Sequence, residues 1–109
     1  MIRKPEVDLI YHAIANTTRR EILNYLRDGP KPVSEIANRF TVSQPAISQQ
    51  LGILSKASLV RAETKGRQRL YEATPNPLRE VRNWISRAVA DPSGHVIVFR
   101  GKRSVAESE

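Results

Sequence analysis

Residues 42–54 read VSQPAISQQLGIL, and this stretch decides the fold. Ile47, Leu51 and Leu54 recur at i, i+4 and i+7, so a helix over residues 43–56 has one apolar face. Ser43 is placed to cap that helix, and Pro45 is tolerated in its first turn. At about 100° per residue, the opposite face carries Pro45, Ser48, Gln49, Gly52 and Lys56, with Gln44 at the N-terminal tip. Neither Asp nor Glu occurs over residues 43–56, although charged residues make up 27% of the chain. A merely solvated face in so charged a chain is expected to carry some acid.

Working outward, a short third helix over about 33–40 carries Ile36, Ala37 and Phe40 as its apolar residues, and Thr41-Val42 joins it to the 43–56 helix by a turn of minimal length. Before it, Thr18 and Glu21 have the spacing of a capping box that opens a second helix, with Ile22, Leu23 and Leu26 inward. Asp28-Gly29-Pro30 ends that helix. A first helix carries Val7, Ile10, Tyr11 and Ile14 on one face. Beyond residue 58 the periodicity becomes alternating. Strands are expected over 59–63 and 68–73, joined by a 64–67 turn in which Gly66 supplies a positive φ. A fifth helix from about residue 78 to 90 carries Leu78, Val81, Ile85, Ala88 and Val89 on a wide stripe, with Trp84 beside it.

The expected fold is therefore mainly α with a small β-hairpin, in the order ααααββα. Two short helices joined by a tight turn and followed by a hairpin form a winged helix-turn-helix. One domain over 1–92 is expected, since domains commonly run to ~100–150 residues. Residues 93–109, with an apolar run at 96–99, are expected to be a partly flexible tail.

The 109 residues contain 18 Lys and Arg against 11 Asp and Glu, a net charge of +7. Residues 43–71 hold Lys56, Arg61, Lys65, Arg67 and Arg69 against Glu63 alone, so more than half of the excess lies in about a quarter of the chain. Such a balance favours an acidic partner, with nucleic acid the first candidate. With no cysteine, a disulfide framework, a thiolate metal site and a Cys nucleophile are excluded. His12 and His95 lie far apart in sequence with no obvious partner, so no metal site is expected. Nor is any catalytic set or phosphate loop legible, so no enzyme activity and no cofactor are expected. No apolar run is long enough to span a membrane, and a cytoplasmic protein is expected.

The major groove of DNA admits one α-helix, and Gln and Ser at its face can bond base edges. Ser43, Gln44, Pro45, Ser48, Gln49 and Lys56 are the candidate contacts from the 43–56 helix. Lys65, Arg67 and Arg69 form a basic hairpin tip suited to phosphates or a narrow minor groove. A protein–protein or RNA interaction module is the competing reading. The acid-free helix face argues against the first, and the absence of exposed aromatics on that face and the hairpin tip argues against the second.

The stretches IANTTRREILNYL (14–26), VSEIANRF (33–40), VSQPAISQQLGIL (42–54) and LVRAETKGRQRLY (59–71) resemble the ArsR/SmtB family of bacterial winged-helix repressors, in the family's order and spacing. The resemblance implies a homodimer paired through the first and last helices, for which Val7, Ile10, Tyr11, Ile14, Leu78, Val81, Trp84, Ile85 and Ala88 are the candidate contacts. It also implies a palindromic double-stranded operator as partner, read at Gln44, Ser48 and Gln49. A small-molecule effector of unknown identity is left open. The family's metal-sensing cysteines fall where this chain has Pro32 and Ser34, and its last helix has Arg79, Glu80, Arg82 and Asn83 but no histidine. Metal sensing is therefore not carried over. Gln49-Gln50 replaces a common Arg/His-His pair, and Thr41 and Ser58 stand where glycine is usual.

Overall fold

The computed structural model describes residues 4–89, and side chains from residue 6 onward. The apolar run at 96–99 and the expected tail lie outside the described residues. Two compact units divide the chain, Met1–Leu78 and Arg79–Glu109. The elements are α1 (Lys4–Ile14), α2 (Thr17–Leu26), β1 (Lys31–Pro32), α3 (Val33–Phe40), α4 (Gln44–Lys56), β2 (Val60–Lys65), β3 (Gln68–Ala73) and α5 (Leu78–Ala88).

In the first unit, Ile22, Ile36, Ile47, Leu51, Leu54 and Leu59 are fully buried and form the centre of the core. They come from α2, α3, α4 and the start of the hairpin, so the core holds the helix-turn-helix and the hairpin base together. Ile10 was expected on the pairing face of α1, but it is 3% exposed and packs inward with Ala13. Val7, Tyr11 and Ile14 are half-buried, and Leu9 is exposed. The apolar stripe of α1 is wide enough to serve two surfaces, and packing within the protomer takes the Ile10–Ala13 side.

The start of α2 differs from the expected capping box. Asn16 is the cap: it is extended, at φ −119° and ψ 131°, and its Oδ1 accepts the Arg19 backbone N–H at 3.0 Å. The cap thus lies two residues earlier, the helix opens at Thr17, and Glu21 is exposed. The chain also forms a strand not expected from sequence. β1 joins the free side of β3, pairing Lys31 with Tyr71 and Pro32 with Leu70, so the sheet order is β1-β3-β2 and the element order is ααβααββα. Proline, which cannot donate a ladder hydrogen bond, is tolerated here because β1 is an edge.

β2 begins and ends later than expected and pairs with β3 from Val60–Ala73 to Lys65–Gln68. Only Gly66 and Arg67 separate the strands, and Gly66 takes φ 62° at the first loop position, where two-residue hairpins favour glycine. Both turns flanking α4 are left-handed without glycine. Thr41 sits at φ 53°, and Val42 N–H reaches back to Ala37 O at 3.1 Å. Ser58 sits at φ 60°, and Leu59 N–H reaches Leu54 O at 2.9 Å. Both are Schellman closures, which satisfy helix-end carbonyls but ask a side-chain-bearing residue to adopt a conformation that costs about 1–2 kcal/mol.

Of the second unit, residues 79–89 are described, nearly all of them in α5, whose first residue, Leu78, belongs to the first unit. Along α5, Leu78, Val81, Ile85 and Ala88 share one stripe at i, i+3, i+7 and i+10. None of the residues of α5 is buried, and Trp84 and Ile85 are 53% and 42% exposed.

Candidate nucleic-acid interface

The candidate surface begins with the anchoring of α4. Ser43, extended at φ −72° and ψ 156°, accepts the Ala46 N–H on its Oγ at 3.2 Å, and Pro45 lies in the first turn. Ile47, Leu51 and Leu54 fix the helix to the core. With those three inward, Gln44, Pro45, Ser48, Gln49, Gly52 and Lys56 are all exposed, as the periodicity requires. A Cβ added at Gly52 would meet nothing within 4 Å, so packing within the protein does not demand glycine there.

The hairpin holds its cations unequally. Cross-strand pairing puts Arg61, Glu63, Lys65, Gln68, Leu70 and Glu72 on one face, and Arg69 and Tyr71 with Val60 and Ala62 on the other. Arg61 stands directly opposite Glu72 and donates from Nε to its Oε2, so much of its charge is answered on the strand. Arg69 lies over the Tyr71 ring, 5.8 Å from its centroid, and its Nε donates to Tyr71 Oη at 3.3 Å. Lys65 and Arg67 have no ion-pair or hydrogen-bond partner among the described residues. An open cleft of about 490 Å³ lies between the end of α4 and the hairpin, with Ser55, Arg61, Ala62 and Arg69 among its walls. The predicted basic tip is therefore one stacked arginine and two unattached cations.

Two arginines that sequence reasoning left aside hold the end of α1, and one of them reaches α4. Arg19, 7% exposed, is the one buried charge among the described residues. Its Nε donates to Ala13 O at 2.7 Å and its Nη2 to His12 O at 2.9 Å, closing the end of α1. Its Nη1 donates to Gln50 Oε1 on α4 at 2.8 Å. Exposed Arg20 completes the α1 cap by donating to Ile14 O at 2.8 Å. The available signal for Arg19 was its register: it lies three residues before Ile22 and seven before Leu26, on the buried stripe of α2.

A second polar cluster stands on α2 and α3. Lys31 Nζ and Arg39 Cζ lie 5.3 and 5.7 Å from the Tyr25 ring centroid. The Tyr25 hydroxyl donates to Glu35 Oε2 at 3.0 Å. Desolvation, then the Glu35 hydrogen bond and charge, holds that hydroxyl above the ordinary tyrosine pKa. Among the described residues no three His, Cys, Asp or Glu side chains gather closely enough to hold a metal ion. The positions implied by the family resemblance, Pro32 and Ser34, offer no imidazole, thiolate or carboxylate. No helix among the described residues is long and apolar enough to cross a membrane.

A helix presented outward by a three-residue anchor, preceded by a tight turn and followed by a basic hairpin, defines a winged helix-turn-helix DNA-binding domain. Residues 16–62 match the family described as bacterial regulatory protein, arsR family. The chain is 39% identical over 80 residues to the HTH-type transcriptional regulator Rv2034 of Mycobacterium tuberculosis, covering 73% of this chain and 75% of that one. It is 34% identical to the transcriptional repressor SdpR of Bacillus subtilis, covering 70% and 84%. The solved ArsR-like transcriptional regulator from Rhodococcus sp. RHA1 superposes with a TM-score of 0.72 at 30% identity, covering 77% of each chain. The chain belongs to the arsR family of bacterial transcriptional regulators.

Proposed function

We propose that this chain is a homodimeric repressor of a palindromic operator, with α4 in the major groove and the β2–β3 wing on the flanking backbone or minor groove. The observation that carries this reading is the exposed, acid-free face of α4, held out by Ile47, Leu51 and Leu54. Gln44 and Gln49 each offer an acceptor and two donors, the pattern that pairs with adenine N6 and N7, and Ser48 can bond several base groups. Ser43 Oγ takes the Ala46 N–H and Pro45 has none, which leaves the Gln44 N–H for a phosphate oxygen. Lys56, Lys65, Arg67 and Arg69 supply positive charge for the phosphates.

Pairing of two copies is supported by the α5 stripe of Leu78, Val81, Trp84, Ile85 and Ala88, and by half-buried Val7, Tyr11 and Ile14 on α1. A two-fold dimer covers those surfaces and sets two recognition helices about 34 Å apart, one turn of DNA. Residues 1–92 then form the binding and pairing unit, acting in the cytoplasm without a catalytic step or cofactor. Its regulation is independent of metal at the family's usual positions.

Selection of duplexes from a random library, followed by binding and light scattering, tests this reading. Enrichment of a palindrome, a mass near twice 12.3 kDa and an affinity unchanged by zinc are expected. A persistent monomer, no enriched sequence, or loss of binding at one zinc per protomer would contradict it.

A further inference from the structure

We infer that Gln50, its amide set by buried Arg19, is a sequence-independent contact to the DNA backbone, so that the adjacent glutamines of α4 divide the work of recognition. This rests on the DNA-binding reading above and assigns a role within it.

The chemistry starts from the guanidinium. Arginine has five N–H donors and no acceptor, so a side-chain amide can meet it only through oxygen. Arg19 is held from behind by the His12 and Ala13 carbonyls, and its Nη1 takes Gln50 Oε1 at 2.8 Å. That bond fixes which way the amide faces. Gln50 Nε2 has no hydrogen-bond partner among the described residues, and no buried side-chain nitrogen or oxygen among them lacks one. The Gln50 NH₂ group therefore reaches solvent.

Bidentate recognition of adenine needs the amide oxygen for N6 and the amide nitrogen for N7. The Gln50 oxygen is already committed, so what it offers outward is a pair of donors. Phosphate oxygens are acceptors at every step of the duplex, and a donor-only group meets them without regard to sequence. Gln50 also lies about 100° round the helix from Gln49, on the flank that borders α2 rather than on the exposed crown. Gln49 is exposed and makes no hydrogen bond within the protein among the described residues, so both ends of its amide are available to a base. Arg19 is a positioning residue in this arrangement: it aims the amide of Gln50 and ties α4 to the α1–α2 corner.

The test uses the full chain, a duplex selected by the wild-type protein from a random library, and a random duplex of equal length. Melting temperature is read beside affinity. Gln50→Glu keeps an acceptor for Arg19 and gains a charge pair, but it has no donor to offer a phosphate. Gln50→Met removes both the acceptor and the donors. The proposal orders stability as Glu at or above Gln, with Met lowest, and orders DNA affinity as Gln, then Met, then Glu. Gln50→Glu is expected to weaken both duplexes by about tenfold or more, with their affinity ratio kept within about twofold of wild type. Were Gln50 merely structural, affinity would follow stability and the Glu variant would bind at least as well as the Met variant; that result overturns the proposal. Loss on the selected duplex alone would make Gln50 a base reader and overturn it too. A wild-type protein that enriches no sequence and binds neither duplex at low salt would remove the DNA reading, and this proposal with it.

Discussion

The α4 helix and the β2–β3 hairpin are adjacent surfaces built on opposite plans. α4 is anchored by three buried aliphatic residues, capped by Ser43 and tied through Gln50 to buried Arg19. Its flanking turns force Thr41 and Ser58 into left-handed conformations. The wing turns on Gly66, which adopts its φ of 62° without a side-chain clash, and its tip cations Lys65 and Arg67 lack partners among the described residues. Base reading needs side chains held in register with an edge pattern, whereas backbone contact needs only charge within reach. On the proposed reading, the anchored α4 is suited to the first task and the unpartnered tip cations to the second.

The largest expected effect breaks the rigid side of this comparison. Leu51, 1% exposed, fixes the middle of α4, and Leu51→Ala should lower stability by about 2–5 kcal/mol through lost burial and a cavity. Chemical denaturation measures it, and Arg67→Ala in the same assay should leave stability within about 0.5 kcal/mol of wild type. Arg19→Lys is the next step down. Lysine keeps the charge but cannot span the His12 and Ala13 carbonyls and Gln50 with a planar fork, so a loss of about 1–3 kcal/mol is expected. A wild-type melting curve for that variant would show that the fork contributes nothing. The smallest effect has the opposite sign. Thr41→Gly should raise stability by up to about 1 kcal/mol by removing a β-branched side chain at φ 53°, with Ser58→Gly giving less. Unchanged or lower stability would mean that unfolded-chain entropy outweighs the relief.

The rigid half of this comparison was largely legible in sequence, and the physical reason is local. The cap at Ser43, the inward set Ile47, Leu51 and Leu54 and the outward set around Gln49 all follow from helical geometry within 13 residues. Gly66 likewise announces the wing turn because few other residues take its φ. What escaped depends on partners far along the chain. β1 is two residues long and includes a proline; it exists because β3 offers an unpaired side, which no local pattern reveals. Asn16, Thr17 and Thr18 present three competing side-chain oxygens, and only the packing of Arg19 against the end of α1 accompanies the choice of Asn16. The Arg19–Gln50 bond spans 31 residues, and neither residue marks the other in the sequence. The inward turn of Ile10 is of the same kind, since a wide apolar stripe does not say which half of it the protomer covers.

The division between reading and clamping is tested most directly by one paired measurement. Affinities of Gln49→Ala and Arg67→Ala are compared on a selected operator and on random DNA across a range of salt. Gln49→Ala should cost about 1–3 kcal/mol on the operator and far less on random DNA, so its specificity ratio falls. Arg67→Ala should weaken both duplexes alike and reduce the salt slope by about one unit, leaving the ratio unchanged. A ratio preserved in Gln49→Ala and collapsed in Arg67→Ala would contradict the account, because it would put sequence readout in the wing rather than in α4.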